Sequence, residues 1–159
     1  MVARSSFVAV NAFEDIPVKA LYTTRLEGKS EGDYSSFNLG LHVEDEPQAV
    51  LQNRLALEKH LSKKVVFMNQ THSDKVILVD KNDVCECEKM LEGKTPVSLG
   101  VEADGIVTCD STVALAVLTA DCLPLLMTTK EGNVIAAVHC GWKGVYSNTF
   151  PTAVNSCDN

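Results

Sequence analysis

Apolar residues in this chain gather in short runs separated by polar, glycine-bearing segments. Phe7–Val10, Val18–Thr23, Lys64–Met68, Lys75–Asp80, Val113–Leu118, Leu123–Thr128 and Val134–Val138 have the length and composition of strands, and Ala103–Thr108 enters another. One segment has a helical rhythm. Val50, Leu51, Leu55 and Leu61 mark an apolar face behind Asp45-Glu46-Pro47, where Asp45 is the expected N-cap and Pro47 suits the first turn. Asn53 and Arg54 lie beside that face. Lys81–Gly100 is charged and aperiodic, and reads as an excursion loop or lid. Many strands with few helices predict an α+β fold, mixed β-sheets layered with helices, in a single domain over residues 1–159.

Composition narrows the classes. A chain of 159 residues, 45% hydrophobic and 22% charged, is long enough for one domain with a real core. A net charge of −7 argues against a general nucleic-acid binder, although local basic residues can hold a small anion. No run reaches the length of a membrane span, and the N-terminal stretch lacks the apolar core of a secretory signal, so a cytoplasmic protein is expected. Six cysteines in a chain of this size do not make a disulfide scaffold. Cys85 and Cys87 read as surface thiols, and Cys109, ending a strand-like run, as packing.

The chemistry concentrates in Thr119–Gly144. Its two apolar runs flank the polar turn Thr129–Asn133, which is a hairpin signal. With Lys130 and Glu131 as a two-residue loop, Cys122 falls directly opposite His139. Opposed Cβ atoms then lie roughly 4.5–5.5 Å apart. That spacing suits a thiolate and an imidazole sharing one metal ion, and it suits a Cys–His nucleophile pair equally. Asp121 precedes the cysteine, and Gly141-Trp142-Lys143-Gly144 follows the histidine. By composition alone Asn38 is a turn former, His72 an exposed residue between strands, and Arg54 a solvated or paired helix residue.

Five segments together, TTRLEGKSEGDYSSFNLGLHVEDEPQAVLQNR (23–54), NQTHSDKV (69–76), ADGIVT (103–108), TADCLPLL (119–126) and HCGWKG (139–144), resemble one family. It is the bacterial laccase-like family, labelled multicopper polyphenol oxidoreductases and also described as purine nucleoside phosphorylases and as a peptidoglycan editing factor. The likeness runs over residues 22–144. It implies a family fold resembling that of cysteine hydrolases, and three metal ligands: His72, Cys122 and His139. Three N/S donors with an open position are the pattern of catalytic zinc, and copper is the less favoured alternative. The resemblance also places Asn38 and Arg54 around a substrate pocket. Family members commonly carry Ala where this chain has Cys140, whose side chain should point away from His139 and pack.

The implied activity is phosphorolysis of adenosine, inosine, guanosine or methylthioadenosine, and deamination of adenosine, with purine nucleosides and phosphate as partners. Arg54 would hold phosphate, helped by Lys143 and the backbone amides of Gly141–Gly144, and Asp121 is the acid–base candidate by position. Its alternative role is a structural carboxylate. Rival readings are a Cys–His hydrolase or deamidase with Cys122 as nucleophile, peptidoglycan precursor editing, a structural zinc site, and copper-dependent polyphenol oxidation. The last is weakest, because the chain has only four histidines. Relatives of this type are expected to continue for several dozen residues beyond the position of Gly144, and none of their motifs is recognised in Val145–Asn159. The chain made alone is therefore expected to expose an open sheet edge, to be less stable than a full-length relative and to have little or no activity. Equal melting temperature and turnover in this chain and in a version extended with a relative's C-terminal segment would refute that expectation.

Overall fold

The structure, a computed structural model, describes residues 5–86, 88–91 and 95–141, with side chains over 5–84 and 99–141. Ten strands and two α-helices follow in chain order: β1 (Phe7–Val10), β2 (Ala20–Thr23), α1 (Pro47–Leu61), β3 (Lys64–Val66), β4 (Val76–Leu78), α2 (Lys81–Glu86), β5 (Glu88–Leu91), β6 (Thr95–Ser98), β7 (Gly105–Thr108), β8 (Val113–Leu115), β9 (Leu123–Thr128) and β10 (Ile135–Cys140). The α+β class expected from the pattern is the one found. A four-stranded mixed sheet has the order β4-β7-β10-β9, and the remaining strands pair as β1-β2, β3-β8 and β5-β6. In the central sheet β10 runs antiparallel to both β7 and β9, while β4 is parallel to β7.

Strand alternation divides β10 between two environments. Ala137 packs with Ile106, Val66, Val79, Val84 and Val113 in the main apolar cluster. Val138 and Cys140 turn the other way, against Val76, Leu125 and Met127. Cys140 thus packs, as expected, while His139 is left on Ala137's side of the strand. Cys109 differs from expectation: it is exposed, one residue beyond the end of β7. β9 lies at one edge of the sheet, none of its residues is buried, and Leu123 is 63% exposed.

The hairpin register departs from the predicted one. Thr128 faces Ile135 and His139 faces Pro124, so Cys122 does not lie opposite His139. The loop has four residues, 130–133, closed by the Thr129 carbonyl accepting from the Gly132 amide at 3.0 Å and by the Val134 carbonyl accepting from the Thr129 amide at 3.2 Å. A two-residue hairpin requires positive φ at its central positions, which Lys130 and Glu131 resist. Gly132 supplies the positive φ instead, at +71°. Continuing the observed register brings Cys122 level with Gly141.

Two other expectations shift for local reasons. Glu46, not Asp45, caps α1, accepting from the Gln48 amide. Asp45 is held back by the Asn38 side-chain amide, which donates to it at 2.8 Å. The segment expected to be an irregular excursion contains α2 and the antiparallel pair β5-β6. Asp80 starts that helix by a reciprocal cap: its carboxylate accepts from the Asn82 amide at 2.6 Å, and Asp83 accepts from the Asp80 amide at 2.8 Å. Among the described residues no helix is long and apolar enough to cross a membrane.

The buried face of α1 is half polar, because Val50, Leu51 and Leu57 share it with Asn53, Arg54 and Glu58. Asn53, 1% exposed, ties the preceding loop to the helix. Its amide nitrogen donates to Ser30 Oγ and to the carbonyls of Ser36 and Asn38, and its oxygen accepts from the Lys29 amide at 2.7 Å. Asn53→Ala strips partners from several buried groups. It should lower stability by about 2–4 kcal/mol in chemical denaturation, because buried groups left unpaired cost ~1–3 kcal/mol each. A loss below about 0.5 kcal/mol, the usual scale of a surface substitution, would show that the loop is held by other contacts.

Candidate metal centre

Asp104 stands at the entrance to β7, between Ala103 and Gly105, and is completely buried. Its Oδ1 accepts from the His72 amide at 3.0 Å and contacts His139 Nδ1 at 2.8 Å. Its Oδ2 accepts from the amides of Thr71 and Ser73 and from Ser73 Oγ, the last two at 2.7 Å. The Asp104 backbone also engages both sides: its carbonyl accepts from the His139 amide, and its amide donates to the Lys75 carbonyl. Burial pushes this carboxyl up, but the bonds from His139, Ser73 and the Ser73 and Thr71 amides outweigh it and hold the group below the ordinary carboxylate range.

The clamp shapes the turn that carries His72, whose φ of 60° lies in the left-handed region. The same turn reaches the Cys122 loop through Gln70. Its side-chain nitrogen donates to the Leu118 carbonyl and its oxygen accepts from the Leu118 amide, both at 2.8 Å, so an amide side chain imitates a strand neighbour. Thr119 Oγ1 then donates to the Cys122 carbonyl.

Around these supports His72, Cys122 and His139 converge, their ligand atoms all within 4.8 Å of one another. Cys122 Sγ is 3.8 Å from His72 Nε2, and the two imidazoles meet edge to face with centroids 4.8 Å apart. Gly141 makes the approach possible. It is buried, and a Cβ there would sit 2.7 Å from His72 Cδ2 and 3.5 Å from His139 Cε1. Two imidazoles and a thiol form a donor set suited to a transition metal. Donors bound at about 2.0–2.3 Å lie ~3.5 Å apart in tetrahedral geometry, so small side-chain rotations would close this trio round an ion. His139 is buried, Cys122 half-buried and His72 exposed, which leaves one side open to a ligand. Desolvation, and then the neighbouring Asp121 carboxylate, raise the Cys122 thiol above its ordinary range. That environment does not activate a free nucleophile, whereas a metal ion would displace the proton.

The other expected site residues have these surroundings. Asp121 is exposed beside the thiol. Asn38 makes a local turn, its oxygen accepting from the Gly40 amide at 2.9 Å. Arg54, 2% exposed, donates from Nε to the Leu39 carbonyl and from a terminal nitrogen to the Leu99 carbonyl, with its guanidinium 3.9 Å over the Phe67 ring. Desolvation by burial lowers its pKa to about 10, against the opposing effect of Glu58, so it stays charged at neutral pH. It lines a cavity of about 260 Å³ with His42, Met68, Asn69 and Gly100. Lys143 lies outside the described residues. Sequence reasoning missed Asp104 and Gln70 as supports, although both fall within the matched segments. The available signal was an acidic residue immediately before the glycine that opens a buried strand.

Gly141→Ala should displace the His72 ring with little cost to the rest of the fold. Metal affinity measured by competition with a chromogenic chelator should fall on the order of tenfold or more, the scale at which perturbed ligand supports act. An unchanged affinity would mean that His72 is not a ligand.

Residues 19–159 match the family described as multi-copper polyphenol oxidoreductase laccase. A Corynebacterium glutamicum protein named purine nucleoside phosphorylase is 44% identical over 132 residues, covering 80% of this chain and 49% of that protein. A Haemophilus influenzae protein of the same name is 40% identical over 151 residues, 92% of this chain and 55% of that one. The chain thus spans about half the length of the curated relatives it matches. Among solved structures, Neisseria meningitidis protein NMB0706 superposes with a TM-score of 0.82 at 32% identity, over 98% of this chain and 58% of its own. YfiH of Bacillus licheniformis gives 0.77 at 26% identity, over 98% and 57%. With its matched segments folded as they are in these relatives, the chain belongs to the laccase-like multi-copper polyphenol oxidoreductase family.

Proposed function

We propose that this chain carries the metal-binding half of a purine nucleoside-processing enzyme. The proposed reactions are phosphorolysis of adenosine, inosine, guanosine or methylthioadenosine, and deamination of adenosine. The observation that carries the reading is the His72–Cys122–His139 cluster with its open side; the names of the Corynebacterium and Haemophilus relatives support the substrate class. His72, Cys122 and His139 would hold the ion, and zinc fits a closely grouped N/N/S trio without demanding the many histidines of a multicopper centre. When bound, the metal supplies Lewis-acid activation of water or of a polar substrate atom.

The chain's own residues supply the rest. In phosphorolysis a phosphate oxygen bonds to the anomeric carbon as the purine nitrogen departs and takes up a proton. Arg54 supports an anion site, since its charge borders the cavity that also contains Asn69, three residues before His72. In deamination a water oxygen replaces the amine at the purine carbon, which leaves as ammonia. Asp121, exposed and next to Cys122, is the acid–base candidate by position, whereas Asp104 is committed to its ring of donors. Lys143 and Asn38 belong to the proposal as further substrate contacts. The reduced thiols the site requires fit a cytoplasmic setting.

A Cys–His hydrolase is the second reading, because Cys122, His139 and Asp104 also line up as nucleophile, base and orienting acid. Metal dependence separates the two, because His72, with Nε2 3.8 Å from the Cys122 thiol, is placed to serve either as a metal ligand or as the base of a thiol mechanism. The test uses this chain and a version extended with a relative's C-terminal segment. Both should retain about one metal per chain, as one three-ligand site implies. Nucleoside turnover in the extended protein should vanish on chelation, return with zinc, and be abolished by His72→Ala. Full turnover in metal-free protein would sink the reading. Arg54→Lys should raise the KM for phosphate several-fold more than the KM for nucleoside, because a lysine keeps the charge and loses the planar fork. Equal effects on both would assign Arg54 to the fold alone.

A further inference from the structure

We infer that Asp104 is the positioning residue of the metal centre, and that it acts on two ligands through one oxygen. The inference rests on the metal reading above. Oδ1 lies at hydrogen-bond distance from both the His72 backbone amide and the His139 ring nitrogen Nδ1. A carboxylate with no exposed surface, already taking backbone N–H donors, accepts a proton from Nδ1 and offers none. His139 is thereby fixed as the Nδ1–H tautomer, with the Nε2 lone pair left for the cluster. The same oxygen, with Oδ2 on the flanking amides of Thr71 and Ser73, holds His72 in its left-handed backbone conformation and so sets where its ring projects. The two imidazoles come from elements far apart in sequence, and this carboxylate meets the ring of one and the backbone of the other.

The arrangement makes Asp104→Asn a directional test. An asparagine has one acceptor oxygen to place among the donors around position 104. Oδ2 faces the amides of Thr71 and Ser73 and Ser73 Oγ, so the asparagine oxygen belongs there and its NH2 must face both His139 and the His72 amide, which loses its acceptor. The imidazole can meet that donor only by accepting at Nδ1, which moves its proton to Nε2 and removes the lone pair from the cluster. A residue that merely stapled the turn would not move this proton.

The experiment records the histidine ring nitrogens by long-range 1H–15N NMR on metal-free protein at a pH where the rings are neutral, and cobalt(II) affinity from the thiolate charge-transfer band. The wild type should show His139 as the Nδ1–H tautomer. Asp104→Asn should show the Nε2–H tautomer, with cobalt bound about 10–100-fold more weakly, the range typical of lost outer-shell partners. A wild-type His139 protonated on Nε2 overturns the inference, as does a folded Asp104→Asn that binds cobalt like the wild type. If the variant does not fold, the wild-type tautomer decides. Cobalt binding without nucleoside turnover in the version extended with a relative's C-terminal segment would remove the proposed activity and leave the role of Asp104 intact; a wild type that binds no cobalt would overturn the metal role for both.

Discussion

A carboxylate with no exposed surface must be met by donors, because an unpaired charge in a low-dielectric interior costs several kcal/mol or more. Asp104 is such a group, and its donors are the amides of Thr71, His72 and Ser73, the Ser73 hydroxyl and the His139 ring. Satisfying it obliges the turn after β3 and the C-terminal end of β10 to meet at the mouth of β7. The site is therefore a consequence of solvating one buried charge from within.

The sheet supplies the second ordering principle. β10 is the central partner of both β7 and β9, so its alternation is constrained on two edges at once. Ala137 and His139 share one side, Val138 and Cys140 the other. Slipping this register by one residue would bury His139 among Val76, Leu125 and Met127 and turn Cys140 toward the site. Gly141, which follows β10, is small enough for the ring of His72 to lie against its backbone.

The sequence made some of this legible and hid the rest for identifiable reasons. The strand runs could be read because apolar β-prone segments are distinctive in themselves, whereas the His/Cys trio was legible only through the family resemblance, since by composition alone His72 is an exposed residue between strands. The hairpin register could not, since the choice between a two-residue and a four-residue loop depended on which residue would take a positive φ, and Gly132 took it. The face of α1 gave a weak rhythm because Asn53, Arg54 and Glu58 are buried on it, each repaid by backbone or charge partners that no periodicity shows. The hairpin β5-β6 and helix α2 were concealed by charged residues that suggested a loop. Asp104 was passed over because Ala103–Thr108 read only as the entry to a strand, and the donors that surround the carboxylate come from segments distant in sequence.

The three candidate ligands form a gradient from a buried His139 through a half-buried Cys122 to an exposed His72. Such a gradient has a directional meaning. His139 is held by the core and cannot swing away without disturbing Asp104, whereas His72 can rotate into solvent. If these three residues hold an ion, His139 would be its anchored donor and His72 the donor nearest solvent, so the ion would be approached from the His72 side.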